Sequence, residues 1–470
     1  MTDTGVGEEP TQGGLSTAEL QEFLSRLRAT GVGDAADSAE LVDRLGLLEQ
    51  VKGAVAGAQV GAAVALADCE RARDEAAGVP ERRRGQAAGA LIGFACRVSP
   101  WAGARRLSLA RALNDDLPRT MRALRRGEIS EWRATIVVRE TSALDADRRR
   151  RVDAEIAAEI GRLGDRKLQA AVARAAYRAD PETFVKRRAK AESDRRVTIR
   201  PAPDAMTYLT GLLPVAQGVA AYAALDRHAK SLRVGGDPRS HGQIMSDTMT
   251  ERLTGQARAS DVPVEVNVTM DAETLFTGGD EPATMAGYGP IPADLARDLA
   301  TGCPSGTEGT SGHGVGRARR ARGQAWIRRF FTTRGGQLVA MDSRRRVFDG
   351  AIRDLIAARD QLCRTPYCNA PIRHVDHAIP RRDGGPTSVG NGQGLCEQCN
   401  YIKDHPGWRT EVIDDGMTPG RRPQRIRTTL PTGHAYDSTA PPVAPDLSFT
   451  ERRLRIALGA HSPPPDILAG

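Results

Sequence analysis

Apolar residues recur every three or four positions through most of the first 190 residues, which is the spacing of amphipathic α-helices. The Gly-, Thr- and acid-rich tip over residues 1–15 has no such period, and we expect it to be disordered. Ser16 and Glu19 then form a capping box ahead of the first apolar stripe. Further along, Gly and Pro interrupt the pattern and mark predicted helix ends. These interruptions lie at Gly78–Pro80, Ser99–Pro100 and Leu117–Pro118.

The period changes to alternation after about residue 195. Val197 and Ile199 alternate with polar neighbours, and so do the apolar residues from Val264 to Met270, as in half-buried strands. A helical stretch from Val215 to Leu232 lies between them. A small mixed α/β unit is therefore predicted after the helices.

The pattern is lost between residues 277 and 325, where Gly, Pro, Ser and Thr dominate and the segment ends in an arginine run over 317–322. Such a composition buries little apolar surface and indicates a flexible, basic linker. A predicted helix from Phe348 to Gln361 and a compact Cys/His-rich segment follow. After them comes a Pro-rich tail, with one more helix predicted near residues 447–458.

The predicted fold class is thus a mainly α N-terminal domain with a small mixed α/β unit, a flexible linker and a small C-terminal module. The predicted parts are a disordered tip (1–15), a helical domain (16–276) with its α/β portion from about 195, a flexible basic linker (277–325), the module (326–412) and a Pro-rich, largely disordered tail (413–470).

Composition adds limits on location and on the core. Aromatic residues make up only 4% of the chain, so we expect cores of Ala, Leu and Val. The most apolar stretch, Ala54–Ala67, is shorter than the ~20 residues of a membrane span. The N-terminus lacks the charged and apolar regions of a signal peptide. We therefore expect a cytoplasmic protein with no membrane partner.

The net charge of +8 suits a polyanionic partner, because neutralised phosphates release counterions, but it suits a solvated basic surface equally well. The arginine runs on the predicted helices leave the same two alternatives, a phosphate-tracking surface or solvated helix faces. These runs lie at residues 81–84, 122–126 and 148–151.

Four of the seven cysteines form two close pairs with x4 and x2 spacing. Two such knuckles can converge on one Zn²⁺, and four thiolates fill its shell, so this zinc is predicted to be structural. The other three cysteines are read as incidental. The paired cysteines are Cys363, Cys368, Cys396 and Cys399, and the incidental ones are Cys69, Cys96 and Cys303.

The residues between and after the cysteine pairs carry the candidate chemistry. Asp376 and His377 stand together, Asn391 follows a Gly-Gly turn, and Asn400 follows the last cysteine. Over about residues 360–412 this segment resembles the HNH nucleases, whose fold is the ββα-metal module. With the helical region ahead of it, and Ala357–Asp360 before the first cysteine, the chain also resembles bacterial HNH proteins that carry an N-terminal domain of unknown function.

The resemblance implies a role for each motif residue. It makes His377 the general base that takes a proton from the water attacking a DNA phosphodiester, leaving a 5′ phosphate. It places a catalytic Mg²⁺ or Mn²⁺ on Asp376. It gives Asn391 the task of accepting a hydrogen bond from the imidazole and fixing its tautomer, the alternative being a plain turn residue between Gly390 and Gly392.

The last motif position departs from the commonest pattern, because Asn400 stands where His is usual. An amide oxygen can still bind Mg²⁺, so Asn400 is the expected second ligand, with His374 and His405 as substitutes. His405 is five residues on, roughly 140° around an ideal helix, and is expected to face elsewhere. His374 could equally be a DNA contact or a plain surface residue.

Three cations near the motif are expected to contact the phosphate backbone without reading sequence: Arg381, Arg382 and Lys403. The expected partner is DNA, with RNA left open. A zinc-stabilised DNA-binding module without catalysis is the main alternative. A zinc deaminase is a third, but it needs a His-x-Glu or Cys-x-Glu element, and here the corresponding residues are His374 and Asp376. The sequence also leaves open whether the N-terminal helices position DNA while the nuclease is a mobile appendage.

Overall fold

A computed structural model describes residues 15–29, 37–258, 268–269, 279–285, 288–301, 348, 350–416 and 423–441. Helices fill the chain up to residue 193, as the apolar period predicted. They are α1 (Thr17–Ala29), α2 (Ser38–Ala76), α3 (Ala88–Ala95), α4 (Pro100–Asp116), α5 (Pro118–Arg125), α6 (Glu131–Thr141), α7 (Ala146–Ile156), α8 (Asp165–Ala179) and α9 (Pro181–Ser193). The tip before residue 15 lies outside the described residues. In the described part of the chain, no helix is both long and apolar enough to cross a membrane.

The helix boundaries fall where the sequence places capping residues and prolines. The Ser16 hydroxyl accepts from the Glu19 N–H, and the Glu19 carboxylate accepts from the Ser16 N–H at 2.7 Å, which is the predicted capping box. Ser99 caps α4 by accepting from the N–H of Ala102, and Pro100 occupies the first turn, where its missing N–H costs nothing. These local signals are the reason the helix ends could be located from the sequence.

Small residues let the helices pack at backbone distance. A Cβ added to Gly103 on α4 would lie 2.1 Å from the carbonyl oxygen of Gly89 on α3, so any larger residue would force the two helices apart. Most of the remaining core is aliphatic, as the low aromatic content predicted. Its fully buried members include Leu113, Leu117, Leu124, Ile136, Val137 and Leu168.

The α/β portion begins with the hairpin of β1 (Arg196–Ala202) and β2 (Met206–Leu212), which pair antiparallel. β1 was predicted and β2 was not. α10 (Val215–Val234) confirms the predicted helical stretch, and α11 (His241–Thr254) follows it. The strand predicted from Val264 to Met270 is described only at Val268–Thr269, which forms β3.

Part of the segment predicted as a flexible linker has secondary structure. β4 (Ala283–Met285) and β5 (Gly289–Ile291) pair antiparallel with each other, and β3 pairs with β4. α12 (Ala293–Thr301) buries Ala296 against this sheet together with Ile291. The apolar residues of these elements are few, and the surrounding Gly and Pro residues obscured their periodicity in the sequence. The arginine run over 317–322 lies outside the described residues.

The C-terminal module has the strand, strand, helix order that the resemblance implies. α13 (Gly350–Asp360) confirms the predicted helix. β6 (His374–His377) pairs antiparallel with β7 (Gly392–Leu395), and α14 (Glu397–Ile402) follows directly. In this register His377 lies opposite Gly392 and Asp376 lies opposite Gln393.

Part of the segment predicted as a largely disordered tail also has secondary structure. β8 (Arg409–Asp414), β9 (Arg425–Thr429) and β10 (Ala435–Thr439) form an antiparallel sheet in the order β10-β9-β8. The helix predicted near residues 447–458 lies outside the described residues. The folded module therefore extends to at least residue 440, whose side chain is buried.

The module packs directly against the helical domain. Ala87, Leu91 and Phe94 of the helical domain form one apolar cluster with Trp408 and Leu430 of the module. Phe94 is 1% exposed. In this structure the module is docked on α3 and does not stand apart as an appendage.

Candidate zinc centre and nuclease site

The four paired cysteines meet at one point in the module. Cys363 follows α13 and Cys368 lies in the next loop, while Cys396 caps α14 and Cys399 lies in its first turn. Their sulfur atoms all lie within 4.8 Å of one another, and the Cys368 and Cys396 sulfurs are 3.9 Å apart. A tetrahedral Zn²⁺ with ~2.3 Å bonds to sulfur needs sulfurs about 3.8 Å apart, whereas a disulfide needs about 2 Å.

The ionisation of these thiols fits the same conclusion. Hydrogen bonds from the Cys368 and Cys399 thiols lower the pKa of Cys363 to about 2. Because the Cys368 and Cys399 thiols donate to the Cys363 thiolate, they lose their own protons less readily. This raises the pKa of Cys368 to about 12 and also raises the pKa of Cys399. Four thiolates packed this closely would repel one another, so full ionisation of the cluster requires a dication among them. Cys69 and Cys96 lie in the helical domain, away from this cluster, and Cys303 lies outside the described residues.

A buried ion network at the end of α13 fixes the second strand of the site. Asp360 pairs with Arg359 at 2.7 Å and accepts the backbone N–H of Gly394 at 2.7 Å. Arg359 donates to the carbonyl oxygens of Val389 and Gly392. All three charges of the network, including Arg364 at 3.6 Å from Asp360, are buried. These contacts hold β7 and the turn before it in register with β6.

His377 ends β6 and is enclosed on two sides. Its Nε2 lies 2.9 Å from the Thr387 hydroxyl, and its Nδ1 lies 3.5 Å from the Asp376 carboxylate. The Phe348 ring packs on the imidazole with 4.6 Å between centroids. Burial lowers the pKa of His377; Asp376 opposes this shift, and the charges of Lys403 and Arg381 add to it. The imidazole is therefore neutral at neutral pH, as a general base must be.

Asn391 is one of the predicted site residues whose partner differs from expectation. Its amide oxygen accepts the Ile379 N–H at 2.9 Å, and its amide nitrogen donates to the carbonyl oxygens of Ile379 and Pro386. With all of these bonds made to the loop backbone, the side chain does not provide the expected acceptor for the imidazole. Asn391 instead ties together the two ends of the loop that presents Thr387.

The Gly384-Gly385 turn makes this loop closure possible. Gly384 has a φ of +88°, a conformation that other residues rarely adopt. A Cβ on Gly385 would lie 1.9 Å from the Ile379 carbonyl oxygen and 2.7 Å from the Asn391 amide. Thr387, which follows this turn, was missed as a site residue because one threonine in a Gly-rich loop gives no signal in the sequence.

Lys403 was expected to extend into solvent and contact the phosphate backbone. It is instead buried against Asp376, the candidate metal ligand. Its ammonium lies 2.9 Å from the Asp376 carboxylate, and its side chain is 9% exposed. Burial raises the pKa of Asp376, whereas the hydrogen bond and the charge of Lys403 lower it. The lowering is the larger effect, so the pKa of Asp376 lies below its usual value. The reason is spatial: α14 lies over β6, so a lysine near its end reaches the strand before it reaches water.

Asn400 meets the main requirement for a second metal ligand. Its amide oxygen is buried and has no hydrogen-bond partner, and a buried oxygen of that kind is costly unless something binds it. A carboxylate and an amide oxygen are the donors that Mg²⁺ and Mn²⁺ prefer. The residues present therefore fit the implied divalent ion.

The remaining candidates are distributed around this centre. His405 lies beyond the end of α14, and its Nε2 is 3.6 Å from the Asp74 carboxylate of the helical domain. The His374 ring lies 6.5 Å from that of Tyr401, between centroids. Arg381 donates to the Thr387 hydroxyl, and Arg382 is exposed and lies 3.4 Å from Asp404.

Comparison with known families places these features in context. A family model described as a domain of unknown function, DUF222, matches residues 48–322, which is more than half of the chain. The chain belongs to the DUF222 family. A second model, for the HNH endonuclease domain, matches residues 363–405 and so covers both cysteine pairs. No curated protein and no solved structure matches the chain.

The two matches confirm the arrangement that the sequence suggested, an N-terminal domain of unknown function followed by an HNH module. The DUF222 match runs through the segment that was interpreted as a linker. An HNH endonuclease domain implies a nuclease with a nucleic-acid substrate, and the four-cysteine cluster is consistent with its binding zinc.

Proposed function

We propose that this DUF222 protein is a metal-dependent endonuclease that hydrolyses phosphodiester bonds of DNA. The observation that carries the proposal is the adjacent Asp376 and buried His377 at the end of β6, with the buried, unpartnered oxygen of Asn400 on the helix that contacts this strand. An aspartate, a base and an amide oxygen at the junction of two strands and a helix are what metal-assisted phosphodiester hydrolysis requires.

His377 is the general base in this proposal. The proposal assigns the proton to Nε2, which then donates to the Thr387 oxygen that also accepts from Arg381, and it assigns the lone pair to Nδ1. The water that attacks phosphorus loses its proton to Nδ1, the bond to the 3′ oxygen breaks, and the product carries a 5′ phosphate. Arg381 and Arg382, at the mouth of the loop, contact the flanking phosphates.

Asp376 and Asn400 would hold Mg²⁺ or Mn²⁺ together with phosphate oxygens. When bound, the ion stabilises the charge that develops on the phosphate and on the departing 3′ oxygen. Lys403 leaves Asp376 when the carboxylate takes on this role and is then free to meet the substrate phosphate. The zinc on the four cysteines is structural, because four thiolates leave it no open position.

One contact favours a second candidate, a zinc-stabilised DNA-binding protein without catalysis. The Lys403 ammonium already neutralises Asp376 at 2.9 Å. If the lysine holds that carboxylate permanently, no divalent ion binds there, and the module binds DNA through its cationic residues alone.

Nicking of supercoiled plasmid separates the two functions. Wild-type protein, His377→Ala and a matched control at an exposed histidine of the module, His434→Ala, are incubated with Mg²⁺ or Mn²⁺, and an EDTA arm removes the divalent ion. We expect the wild type and the control to nick the plasmid and to leave 5′ phosphates, and His377→Ala to lose at least a hundredfold in rate. Equal nicking by His377→Ala would refute the mechanism. Salt-sensitive binding without cleavage by the wild type would favour the binding protein. A labelled single-stranded RNA in the same assay decides whether RNA is also cut.

A further inference from the structure

A single aromatic residue of the helical domain occupies an aromatic pocket of the nuclease module. The Phe94 ring, on α3, lies 4.9 Å from Tyr436, 5.7 Å from Trp408 and 6.4 Å from Tyr367, measured between centroids. Aromatic pairs in this range contribute roughly 0.5–1.5 kcal/mol each beyond the apolar area that they bury. This aromatic cluster is therefore the anchor of the contact between the two parts of the chain.

A polar contact lies beside the aromatic cluster. Asp74, near the end of α2, accepts the backbone N–H of Gly85 at 2.8 Å and lies 3.6 Å from the Nε2 of His405. The side chains of Asp74 and His405 are only 2% and 5% exposed. Glu70 and Arg73, one turn earlier, form an ion pair next to them. Both ring nitrogens of His405 are buried without a hydrogen-bond partner among the described residues, so Asp74 is in contact with the ring but does not accept a hydrogen bond from it. A buried polar pair of this kind is sensitive to a change in either residue.

Both contacts reach the segments that carry the site. Tyr367 lies in the loop between Cys363 and Cys368, so Phe94 packs against the first zinc knuckle. His405 lies two residues beyond Lys403, at the end of the segment that carries Asn400. These segments contain the cysteine pairs and the candidate metal ligand of α14.

A cavity between the helical domain and the module is lined by residues of the same segments. They include Phe94 and Pro100 from the helical domain and Cys399, Lys403 and Trp408 from the module. The helical domain is thus in contact with the face of α14 next to the candidate catalytic centre. Because both parts line this cavity, a shift of the helical domain would disturb the face of α14 that borders it.

We propose that the DUF222 helical domain is a structural part of the nuclease site and that Phe94 and Asp74 are positioning residues for it. By holding the first zinc knuckle and the end of α14, they set the distance between α14 and β6, and hence the placement of Asn400 and Lys403 relative to Asp376. This inference rests on the proposed function for its kinetic consequence, but its structural consequence can be measured without any cleavage.

The test uses the full chain with Phe94→Leu and Asp74→Asn, which keep most of the volume and, for Asn, the acceptor for Gly85. The matched controls are Phe184→Leu, in the helical core away from the module, and Glu75→Gln, the exposed neighbour of Asp74. Hydrogen exchange is followed over residues 397–408, zinc content is measured, and nicking is resolved into kcat and KM.

We expect exchange over residues 397–408 to quicken at least tenfold in the two interface variants and not in the controls, with zinc retained. We expect kcat to fall at least fivefold with KM within twofold, because the phosphate contacts proposed for Arg381 and Arg382 are untouched while the metal ligand of α14 is misplaced. Exchange and kcat both equal to wild type in a folded Asp74→Asn would overturn the proposal, even if Phe94→Leu fails to fold. If the wild type does not nick DNA, the proposed function fails, and exchange alone decides whether the helical domain positions α14.

Discussion

At the scale of single residues, the environment of His377 depends on a hydroxyl group. The Thr387 oxygen lies 2.9 Å from Nε2 and accepts from Arg381 at 3.2 Å, in a place where both Thr387 and His377 are buried. A buried ring nitrogen without a partner costs about 1–3 kcal/mol, so this hydroxyl both orients the imidazole and removes that cost.

We expect Thr387→Val, which keeps the shape and removes the hydroxyl, to lower the nicking rate by about 10- to 100-fold, because the ring loses its fixed tautomer. Thr387→Ser should retain most of the activity. The measurement is the initial nicking rate of supercoiled plasmid with Mg²⁺. Wild-type rates in Thr387→Val would show that the imidazole is oriented by something else.

The pair of Lys403 and Asp376 predicts a competition between an ammonium and a metal ion. Because Lys403 must leave Asp376 before a divalent ion binds, Lys403→Met should tighten Mn²⁺ binding by about fivefold, equivalent to roughly 1 kcal/mol for a partly exposed pair. Paramagnetic resonance of free Mn²⁺ measures the affinity directly, with Lys52→Met in the helical domain as the control. Unchanged or weaker binding in Lys403→Met would exclude competition.

The sequence indicated which residues belong to the site, but it did not indicate which groups their side chains would contact. The spacing of the cysteines and the adjacent Asp376 and His377 are local patterns, and they indicated the four-cysteine cluster and the HNH module. The partners of Asn391 and Lys403 depend on how a Gly-rich loop closes and on which strand face a short helix covers. Those are tertiary facts that no local pattern encodes.

At the scale of elements, the end of α13 positions β7 through buried charge. Asp360 is fully buried between Arg359 and Arg364, and burial lowers the pKa of Arg364 to about 10. Two buried guanidinium groups are tolerated only while the carboxylate between them is ionised.

We expect Asp360→Ala to destabilise the protein by about 3–5 kcal/mol, because it leaves two buried cations without their partner. The exposed Asp383→Ala is the control, with an expected change within about 0.5 kcal/mol. The stability of both variants is measured by urea unfolding of the full chain, with the release of zinc as the signal. A loss below about 1 kcal/mol in Asp360→Ala would mean that water reaches the two arginines.

The hairpin of β1 and β2 shows why one strand escaped prediction. Its loop residues Asp204 and Ala205 have φ values of +59° and +57°. Hairpin turns with this left-handed conformation usually contain Asn-Gly or Asp-Gly, which can be recognised in a sequence. Without a glycine, the turn gives no signal. The strands hidden in the presumed linker and tail were missed for a related reason, since their apolar positions are few and lie among Gly and Pro.

The same turn makes a prediction about stability. Ala205→Gly should stabilise the folded chain by about 0.5–1 kcal/mol, because the left-handed conformation is unfavourable for a residue with a Cβ. Ala205→Val should destabilise it. Thermal unfolding monitored by circular dichroism ranks the three proteins, and an order with Val above Ala would contradict the hairpin geometry.

At the scale of the whole molecule, the sequence indicated two parts but not that they pack together. Phe94 and Trp408 lie in different parts of the chain, and neither stands in a pattern that points to the other. Apolar periodicity reports which face of an element is buried, and it does not report against what. The Gly- and Pro-rich segment between the parts left it open whether the module is a mobile appendage.

Zinc should therefore affect more than the module that binds it. Cys396→Ala removes one of four thiolates, and we expect zinc to fall from about one ion per chain to near zero, while Cys69→Ala on α2 leaves it unchanged. The first knuckle then loses its closure, Tyr367 no longer has a fixed place against Phe94, and α3 loses part of its apolar cover. Hydrogen exchange over residues 87–94 should consequently quicken in Cys396→Ala although the substitution lies in the other part of the chain. Retained zinc in that variant would refute the four-cysteine site. Zinc loss with unchanged exchange in α3 would show that the knuckle and the helical domain fold independently.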